Sequence, residues 1–181
     1  MKPVTVSYLT TGTDYADFKF AAMKSSMRKG EVSALRISGA AVLLLAFALM
    51  LFWGGSVFRN LLYILLALIG FAVCGSPDVF IPFFVRKRAF QKYESGEKKI
   101  LSQTVEFHED HVSFLSERYS AEVPYTMFYK AYEDGKMFLF YFGINEIRFV
   151  PKRAMNNDGC ETVRNLLGSQ LKDKFQQEGA R

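Results

Sequence analysis

The residues best suited to chemistry lie in one short run, 106–111, which reads Glu-Phe-His-Glu-Asp-His. This run holds both histidines of the chain, His108 and His111, together with three acidic residues. Convergent imidazole and carboxylate groups are common ligands of transition metals. If a hairpin turn brings the histidines together, the run is a candidate metal site of a metal-dependent enzyme. We favour an exposed polar turn, since a zinc protease needs His-Glu-x-x-His on a helix, and we predict no metal and no cofactor.

Asp78 is a second candidate, because it is the single acidic residue of the apolar segment 37–85. A carboxylate inside a membrane helix is by default a functional-site hypothesis, and it would suit a subunit of a channel or transporter. The sequence offers it no second intramembrane acid or base as a partner. Asp78 also follows Pro77, which kinks or ends a helix. We therefore expect the regular span to end near Phe80 and Asp78 to lie at the membrane interface.

Two basic clusters could contact lipid phosphate. Arg86, Lys87 and Arg88 follow the apolar segment directly, and Lys152 with Arg153 precedes a predicted helix. A helix N-terminus favours anions, which makes the second cluster a candidate headgroup contact. The alternative for both clusters is a solvated surface.

No sequence motif of a known catalytic class accompanies these candidates: G-x-S-x-G, the P-loop and the dinucleotide fingerprint are absent. The two cysteines, Cys74 and Cys160, are too widely separated to indicate a disulfide framework or a zinc site. We interpret both as buried small side chains. The chain is therefore predicted not to be an enzyme.

Two apolar runs must position these residues. The first, 37–58, contains no charge and is bracketed by Arg36 and Arg59, and the second extends from Leu61 to Val85. A helix needs about 20 apolar residues to cross the hydrocarbon core of a bilayer. A cleaved signal peptide would lie nearer the start of the chain. Segment 37–85 is therefore predicted to be a transmembrane two-helix hairpin, connected near Gly54 and Gly55.

The charges indicate how this hairpin is oriented. Residues 1–36 carry six Lys and Arg against three acids, residues 86–99 carry six against two, and Arg59 is the single basic residue between them. The positive-inside rule places both flanks, and hence both termini, in the cytoplasm. The flanks would also attract anionic headgroups. Segment 100–181 is slightly acidic, which argues against nucleic-acid binding. The flanking basic residues are Lys19, Lys24, Arg28, Lys29, Arg36, Arg86, Lys87, Arg88, Lys92, Lys98 and Lys99.

The remaining segments have the patterns of a small β-rich domain. Residues 1–36 contain a predicted strand at 4–9 and a helix at 14–28, and residues 86–99 are predicted to be a basic juxtamembrane linker. Alternating apolar residues in 100–181 indicate antiparallel strands, with Asp134-Gly135 as a type I′ hairpin signal. A helix starts at Asp158. The strands are predicted at 103–108, 111–115, 119–123, 127–132, 136–142 and 146–150.

A curved antiparallel sheet or barrel with a helix across its open end is the architecture of pleckstrin-homology-like (PH-like) domains. The predicted fold class is thus a membrane-anchored α+β protein, in which a helical hairpin holds a PH-like domain. We expect the N-terminal strand to complete the C-terminal sheet.

The order of these parts resembles the YcxB-like family of bacterial membrane proteins. The matching stretches are VEFHEDHVSFLSE at 105–117, segment 123–132, and the strand that ends in Val-Pro-Lys-Arg-Ala-Met at 150–155. Met155 stands where that family more commonly has an aromatic residue. The resemblance implies a multi-pass protein of the bacterial plasma membrane with a PH-like C-terminal domain, and it brings no catalytic residues.

From these patterns we predict a non-enzymatic, membrane-anchored binding, scaffold or regulatory module at the cytoplasmic face. Its partners would be the lipid bilayer, anionic headgroups, and a membrane or cytosolic protein, with a homo-oligomer left open. The alternatives are a channel or transporter subunit that uses Asp78, and a metal-dependent enzyme at His108 and His111.

Overall fold

A computed structural model describes residues 3–27, 29–53, 55–96, 102–116, 119–143 and 146–178. Contacts divide the chain into two compact units, Met1–Ser25 with Arg86–Arg181, and Ser26–Val85. The described residues form an α+β fold, as predicted, with two long apolar helices and two β-sheets. Four residues of the predicted basic flanks and helix connection lie outside the described residues: Arg28, Gly54, Lys98 and Lys99.

The described residues form eight strands and five α-helices. The strands are β1 (Val4–Tyr8), β2 (Gln103–Phe107), β3 (His111–Ser116), β4 (Tyr119–Pro124), β5 (Lys130–Glu133), β6 (Met137–Tyr141), β7 (Ile147–Pro151) and β8 (Phe175–Gln177). The helices are α1 (Gly12–Ser26), α2 (Lys29–Trp53), α3 (Val57–Gly75), α4 (Ile81–Glu94) and α5 (Asn157–Leu171).

Two helical stretches of the described residues are long and apolar enough to cross a membrane, judged by length and composition. Gly30–Trp53 has 24 residues with a mean hydropathy of 2.2, and Val57–Glu94 has 38 residues with a mean hydropathy of 2.1. At a rise of about 1.5 Å per residue the first is about 36 Å long, against a hydrocarbon core of about 30 Å.

Helices α2 and α3 approach each other at two glycines. A Cβ atom on Gly39 would lie 2.5 Å from the backbone nitrogen of Cys74, and one on Gly70 would lie 3.0 Å from the carbonyl oxygen of Gly39. Small residues at such positions allow two helix backbones to pack closely. The close packing of α2 against α3 therefore requires that Gly39 and Gly70 carry no side chain.

The helix interruption predicted at Pro77 and Asp78 takes the form of a π-helical segment. Helix α3 ends at Gly75, residues Ser76–Phe80 are π-helical, and α4 follows at Ile81. Proline has no N–H for the regular helical ladder, and a π-bulge accommodates such a local mismatch while the helix continues. Consequently residues 86–94, which belong to the segment predicted as a linker, are helical.

The strands form two four-stranded sheets. The first has the order β1-β2-β3-β4, and β1 pairs antiparallel with β2, with Val6 opposite Val105. This pairing confirms the prediction that the N-terminal strand completes the C-terminal sheet. The apolar hairpin is thus inserted between two neighbouring strands, and residues from both sides of it belong to one compact unit.

The second sheet has the order β7-β6-β5-β8, in which β8 runs parallel to β5. The sequence did not predict β8, and the strand predicted from Met127 begins only at Lys130, after a 3₁₀ turn at Tyr125–Met127. The hairpin at Asp134-Gly135 is confirmed, although neither residue adopts the positive φ of a type I′ turn. Instead, the Asp134 carboxylate accepts hydrogen bonds from the backbone N–H groups of Lys136 and Met137.

Aromatic side chains fill the core on both faces of the second sheet. Phe140 faces the first sheet, with ring centroids 5.9 Å from Phe107 and 6.1 Å from Phe114. On the opposite face, α1 packs its Phe18 ring against Phe149 at 4.7 Å. Many of the 18 Phe and nine Tyr residues of the chain therefore lie in this core.

The two helices of the first unit that flank this core have defined starts. Thr11 and Asp14 form a capping box at the start of α1, because each side chain accepts a hydrogen bond from the backbone N–H of the other. Helix α5 starts one residue earlier than predicted and is capped by Asn156, whose side chain accepts from the Gly159 N–H at 2.7 Å. Its buried residues are Val163, Leu166, Leu167 and Leu171.

Candidate functional site

The turn between β2 and β3 brings the two histidines together, which is the condition that the hypothesis of a metal site required. The rings of His108 and His111 stack with centroids 4.3 Å apart and an interplanar angle of 13°. Each has a neighbouring carboxylate: His108 Nε2 lies 3.5 Å from Glu106 Oε2, and His111 Nδ1 lies 2.7 Å from Asp110 Oδ1. The hydrogen bond with His111 is the main reason that the pKa of Asp110 lies below its usual value.

This stacked arrangement does not converge on one point. The nitrogen lone pairs lie in the ring planes, and two nearly parallel rings with centroids 4.3 Å apart do not direct them at one ion at metal–nitrogen bond lengths of about 2 Å. Among the described residues, no group of three or more His, Cys, Asp and Glu side chains is arranged to hold a metal. The pair and its carboxylates therefore have the geometry of a polar surface turn.

Asp78 has a partner that the sequence analysis did not identify. Nη2 of Arg36 donates hydrogen bonds to both carboxylate oxygens of Asp78, at 2.7 and 2.9 Å. The sequence predicted no intramembrane partner for Asp78, and Arg36 belongs to the basic flank, 42 residues away. Arg36 directly precedes the first apolar run, and Asp78 lies where the second run is interrupted. Only antiparallel packing of the two helical segments brings these two residues together.

The basic residues predicted to contact phosphate are placed differently from one another. Arg86 Nε lies 2.9 Å from Asp17 Oδ1 without hydrogen-bond alignment, and its guanidinium lies 4.5 Å from the centroid of the Phe20 ring. Lys87 and Arg88 are exposed on the surface. The first cluster therefore mixes one internal contact with two surface cations.

The second cluster faces internal carboxylates. Lys152 Nζ lies 2.7 Å from Glu133 Oε1. Arg153 Nε donates to Asp14 Oδ1 at 2.8 Å, and Arg153 Nη2 donates to the Leu9 carbonyl at 2.9 Å and also contacts Asp14 Oδ2. These two side chains thus join the end of β7 to β5 and to the start of α1.

Two buried carboxylates organise this network, and sequence reasoning missed both. Glu133 also accepts three hydrogen bonds of 2.7 to 3.0 Å from Arg164 of α5. Burial alone would raise the pKa of Glu133, but the hydrogen bonds from Arg164 and Lys152 outweigh it and the pKa lies below its usual value. The same balance, with Arg153 and Thr11 as donors, lowers the pKa of Asp14. No local spacing distinguishes either acid from a surface residue.

A basic residue also occupies one end of the space between the sheets. The Arg148 guanidinium lies 4.1 Å from the centroid of the Tyr119 ring and 5.0 Å from that of Phe114. Nearby, the Tyr8 hydroxyl donates to Gln103 Oε1 at 2.9 Å and also to the Phe149 carbonyl, and burial raises the pKa of Tyr8. These contacts hold the edges of the two sheets together.

Comparisons with known proteins agree with the resemblance seen in the sequence. The search of the curated proteins finds no match. The scan against protein families matches residues 107–167 to the family described as YcxB-like protein. The matched residues begin at the last residue of β2 and end within α5, so they cover most strands of the β-rich unit. Residues 107–167 are thus similar to the YcxB-like family, in agreement with the resemblance seen in the C-terminal part of the sequence.

Proposed function

We propose that this chain is a non-enzymatic binding or scaffold protein, anchored in the bacterial plasma membrane by the hairpin 37–85. Its β-rich unit would present a binding surface at the cytoplasmic face. The ligand would be a protein segment or a lipid headgroup.

One observation supports the anchor above all: the apolar side chains of α2 and α3 are mostly uncovered. Only 11% of the most apolar window of Gly30–Trp53 is buried, and 6% of that of Val57–Glu94. Leu44 is 70% exposed and Phe52 is 83% exposed. A soluble core helix of this composition would be buried, because leaving each such side chain in water costs roughly 1.5–3 kcal/mol. A lipid environment removes this cost.

Charge supports the cytoplasmic orientation. Arg36 and Arg86 bracket the hairpin, and further basic residues follow the second of them. The positive-inside rule assigns such flanks to the cytoplasm. The Arg36–Asp78 pair fits an interfacial position, because it joins the two helical segments next to the ends of their apolar runs.

The order of elements supports a PH-like binding domain. Four strands form one sheet, three antiparallel strands form the main part of a second, and α5 follows them. Since a fold does not determine a function, the choice of a binding role depends on the site. The carboxylates of Asp14 and Glu133 bind basic side chains of the same unit, and this internal role favours a scaffold over a catalyst.

Membrane extraction tests the anchor. We expect the full chain to stay in the membrane fraction during alkaline carbonate treatment and to leave it only with detergent. Leu44→Lys should weaken retention, because a charge near the middle of a membrane helix costs about 2.5–3.5 kcal/mol. Leu115→Lys, on an exposed position of β3, is the matched control. Release of the unmodified chain by carbonate would contradict the anchor.

Crosslinking in the native membrane tests the binding role, with captured partners identified by mass spectrometry. We expect a reproducible partner or lipid adduct at the β-rich unit. If the full chain captures no partner and its β-rich unit binds no lipid headgroup, the binding role is wrong.

A further inference from the structure

The connection between β4 and β5 exposes two large side chains side by side. Met127 is 68% exposed and Tyr129 is 65% exposed, whereas Phe128 between them is 1% exposed. The Phe128 ring packs against Phe140 and Phe142, with centroid distances of 5.7 and 4.9 Å. The core therefore holds this turn in place, and the outward position of its two neighbours is a fixed feature.

Hydrogen bonds place this turn near the point where the chain leaves the first unit. The Tyr129 N–H donates to the Tyr141 carbonyl at 2.8 Å, and the Tyr141 hydroxyl contacts Ser25 Oγ. Lys130 Nζ donates to the Ser25 carbonyl at 3.2 Å. Three residues lie between Ser25 and Lys29, where α2 begins, so the four steps along the chain span at most about 14 Å.

The charge next to the exposed pair complements an anionic surface. Lys174 Nζ donates to the carbonyl of Phe128 at 3.1 Å, and Lys130 directly follows Tyr129. In the described part of the chain, both ammonium groups are held by backbone carbonyls. Lysines near a membrane surface are attracted to anionic lipid, and tyrosine is enriched at the membrane–water interface.

We infer that Met127 and Tyr129 are a second membrane contact, inserted at the interface of an anionic bilayer and flanked by Lys130 and Lys174. This contact would restrict how the β-rich unit is presented to its partner. The inference rests on the proposed function, because it requires the hairpin to lie in the same bilayer.

Spin-label accessibility of the full chain tests this contact. The chain is reconstituted into vesicles of phosphatidylethanolamine and phosphatidylglycerol, in a background with Cys74→Ser and Cys160→Ser. Single labels are introduced through Met127→Cys and Tyr129→Cys. Power saturation then compares collisions with oxygen, which partitions into lipid, and with a water-soluble nickel chelate.

Two further single-label variants serve as references. Gly135→Cys lies at the opposite end of β6 from Tyr141, and a Cβ there would have no heavy atom within 4 Å. Leu44→Cys reports whether α2 is in lipid. We expect the labels at positions 127 and 129 to have a several-fold higher ratio of oxygen to nickel accessibility than the label at 135, approaching that at 44.

The other outcomes overturn the inference in distinguishable ways. If the label at 44 is in lipid while those at 127 and 129 match the one at 135, the anchor stands and the second contact is wrong. Labels at 127 and 129 that are protected from both reagents would indicate a protein contact in place of lipid. If the label at 44 is itself in water, the proposed anchor fails, and the second contact fails with it.

Discussion

Replacing Glu133 by glutamine removes the charge that holds three elements of the β-rich unit together. The side chain is 6% exposed and pairs with Lys152 of the turn after β7 and with Arg164 of α5. Glu133→Gln keeps the size of the side chain but leaves both cations without their counter-ion. Removing one partner of a fully buried pair costs about 3–5 kcal/mol.

The cost here should be smaller, because the two cations reach water. The side chains of Lys152 and Arg164 are 18% and 38% exposed, so solvent screens part of the unbalanced charge. We therefore expect Glu133→Gln to lower the free energy of unfolding by about 2–3 kcal/mol. Glu122→Gln, an exposed acid on β4, is the matched control and should change it by less than about 0.5 kcal/mol.

The effect of Glu133→Gln should depend on pH. The pKa of Glu133 is lower in the folded chain than its ordinary value of 4.5. The stabilisation is therefore fully present above about pH 4.5 and is lost as the pH falls through the folded pKa. The difference between the unmodified chain and the variant should be constant at neutral pH and shrink in acid.

Urea unfolding of the full chain in detergent micelles, followed by near-ultraviolet circular dichroism of the tyrosines, measures both effects. Tyrosine signals are preferable because the single tryptophan, Trp53, is in α2. A variant as stable as the Glu122→Gln control would refute the structural role assigned to this carboxylate. So would a stability difference of the same size at neutral and acidic pH.

Three further predictions concern the hairpin and the last helix. Gly39→Leu should separate α2 from α3 and lower the melting temperature of the chain in detergent. Gly30→Leu should not, because a Cβ at Gly30 would have no heavy atom within 4 Å. Equal melting temperatures of the two variants would contradict the close packing. The losses of unfolding free energy caused by Asp78→Ala and Arg36→Ala should be non-additive in a double-mutant cycle. The coupling energy should be at most about 1 kcal/mol, because the pair is more than half exposed. Strictly additive losses would show that the pair does not form. Asn156→Ala should destabilise the β-rich unit by about 1 kcal/mol through loss of the α5 cap, as measured by urea unfolding, and an unchanged midpoint would rule out that cap.

The insertion of the hairpin between β1 and β2 affects how the β-rich unit can be studied. Strand β1, helix α1 and residues 86–94 of α4 lie outside segment 100–181, yet they belong to the same compact unit. A fragment of 100–181 would expose the edge of β2 that β1 covers. Unpaired strand edges promote aggregation, so binding experiments should use the full chain.

The sequence by itself determined the features that depend on neighbouring residues. The uniform apolar runs indicated two long helices, and alternation indicated strands at 4–9 and 103–108, which the structure contains with one residue fewer each, as Val4–Tyr8 and Gln103–Phe107. The stretches around 105–117 and 150–155 were enough to indicate the YcxB-like domain, whose matched residues are 107–167. These signals are local, because helix and strand periodicity are properties of contiguous segments.

Only the tertiary structure decided which distant residues meet. The partner of Asp78 is 42 residues away, and that of Asp14 is 139 residues away. Strand β8 has three residues and exists because β5 offers it an edge. A charged residue reads the same in the sequence whether it faces water or a buried counter-ion. Its environment is created by packing, so Glu133 and Arg153 became recognisable as internal ties only in the folded chain.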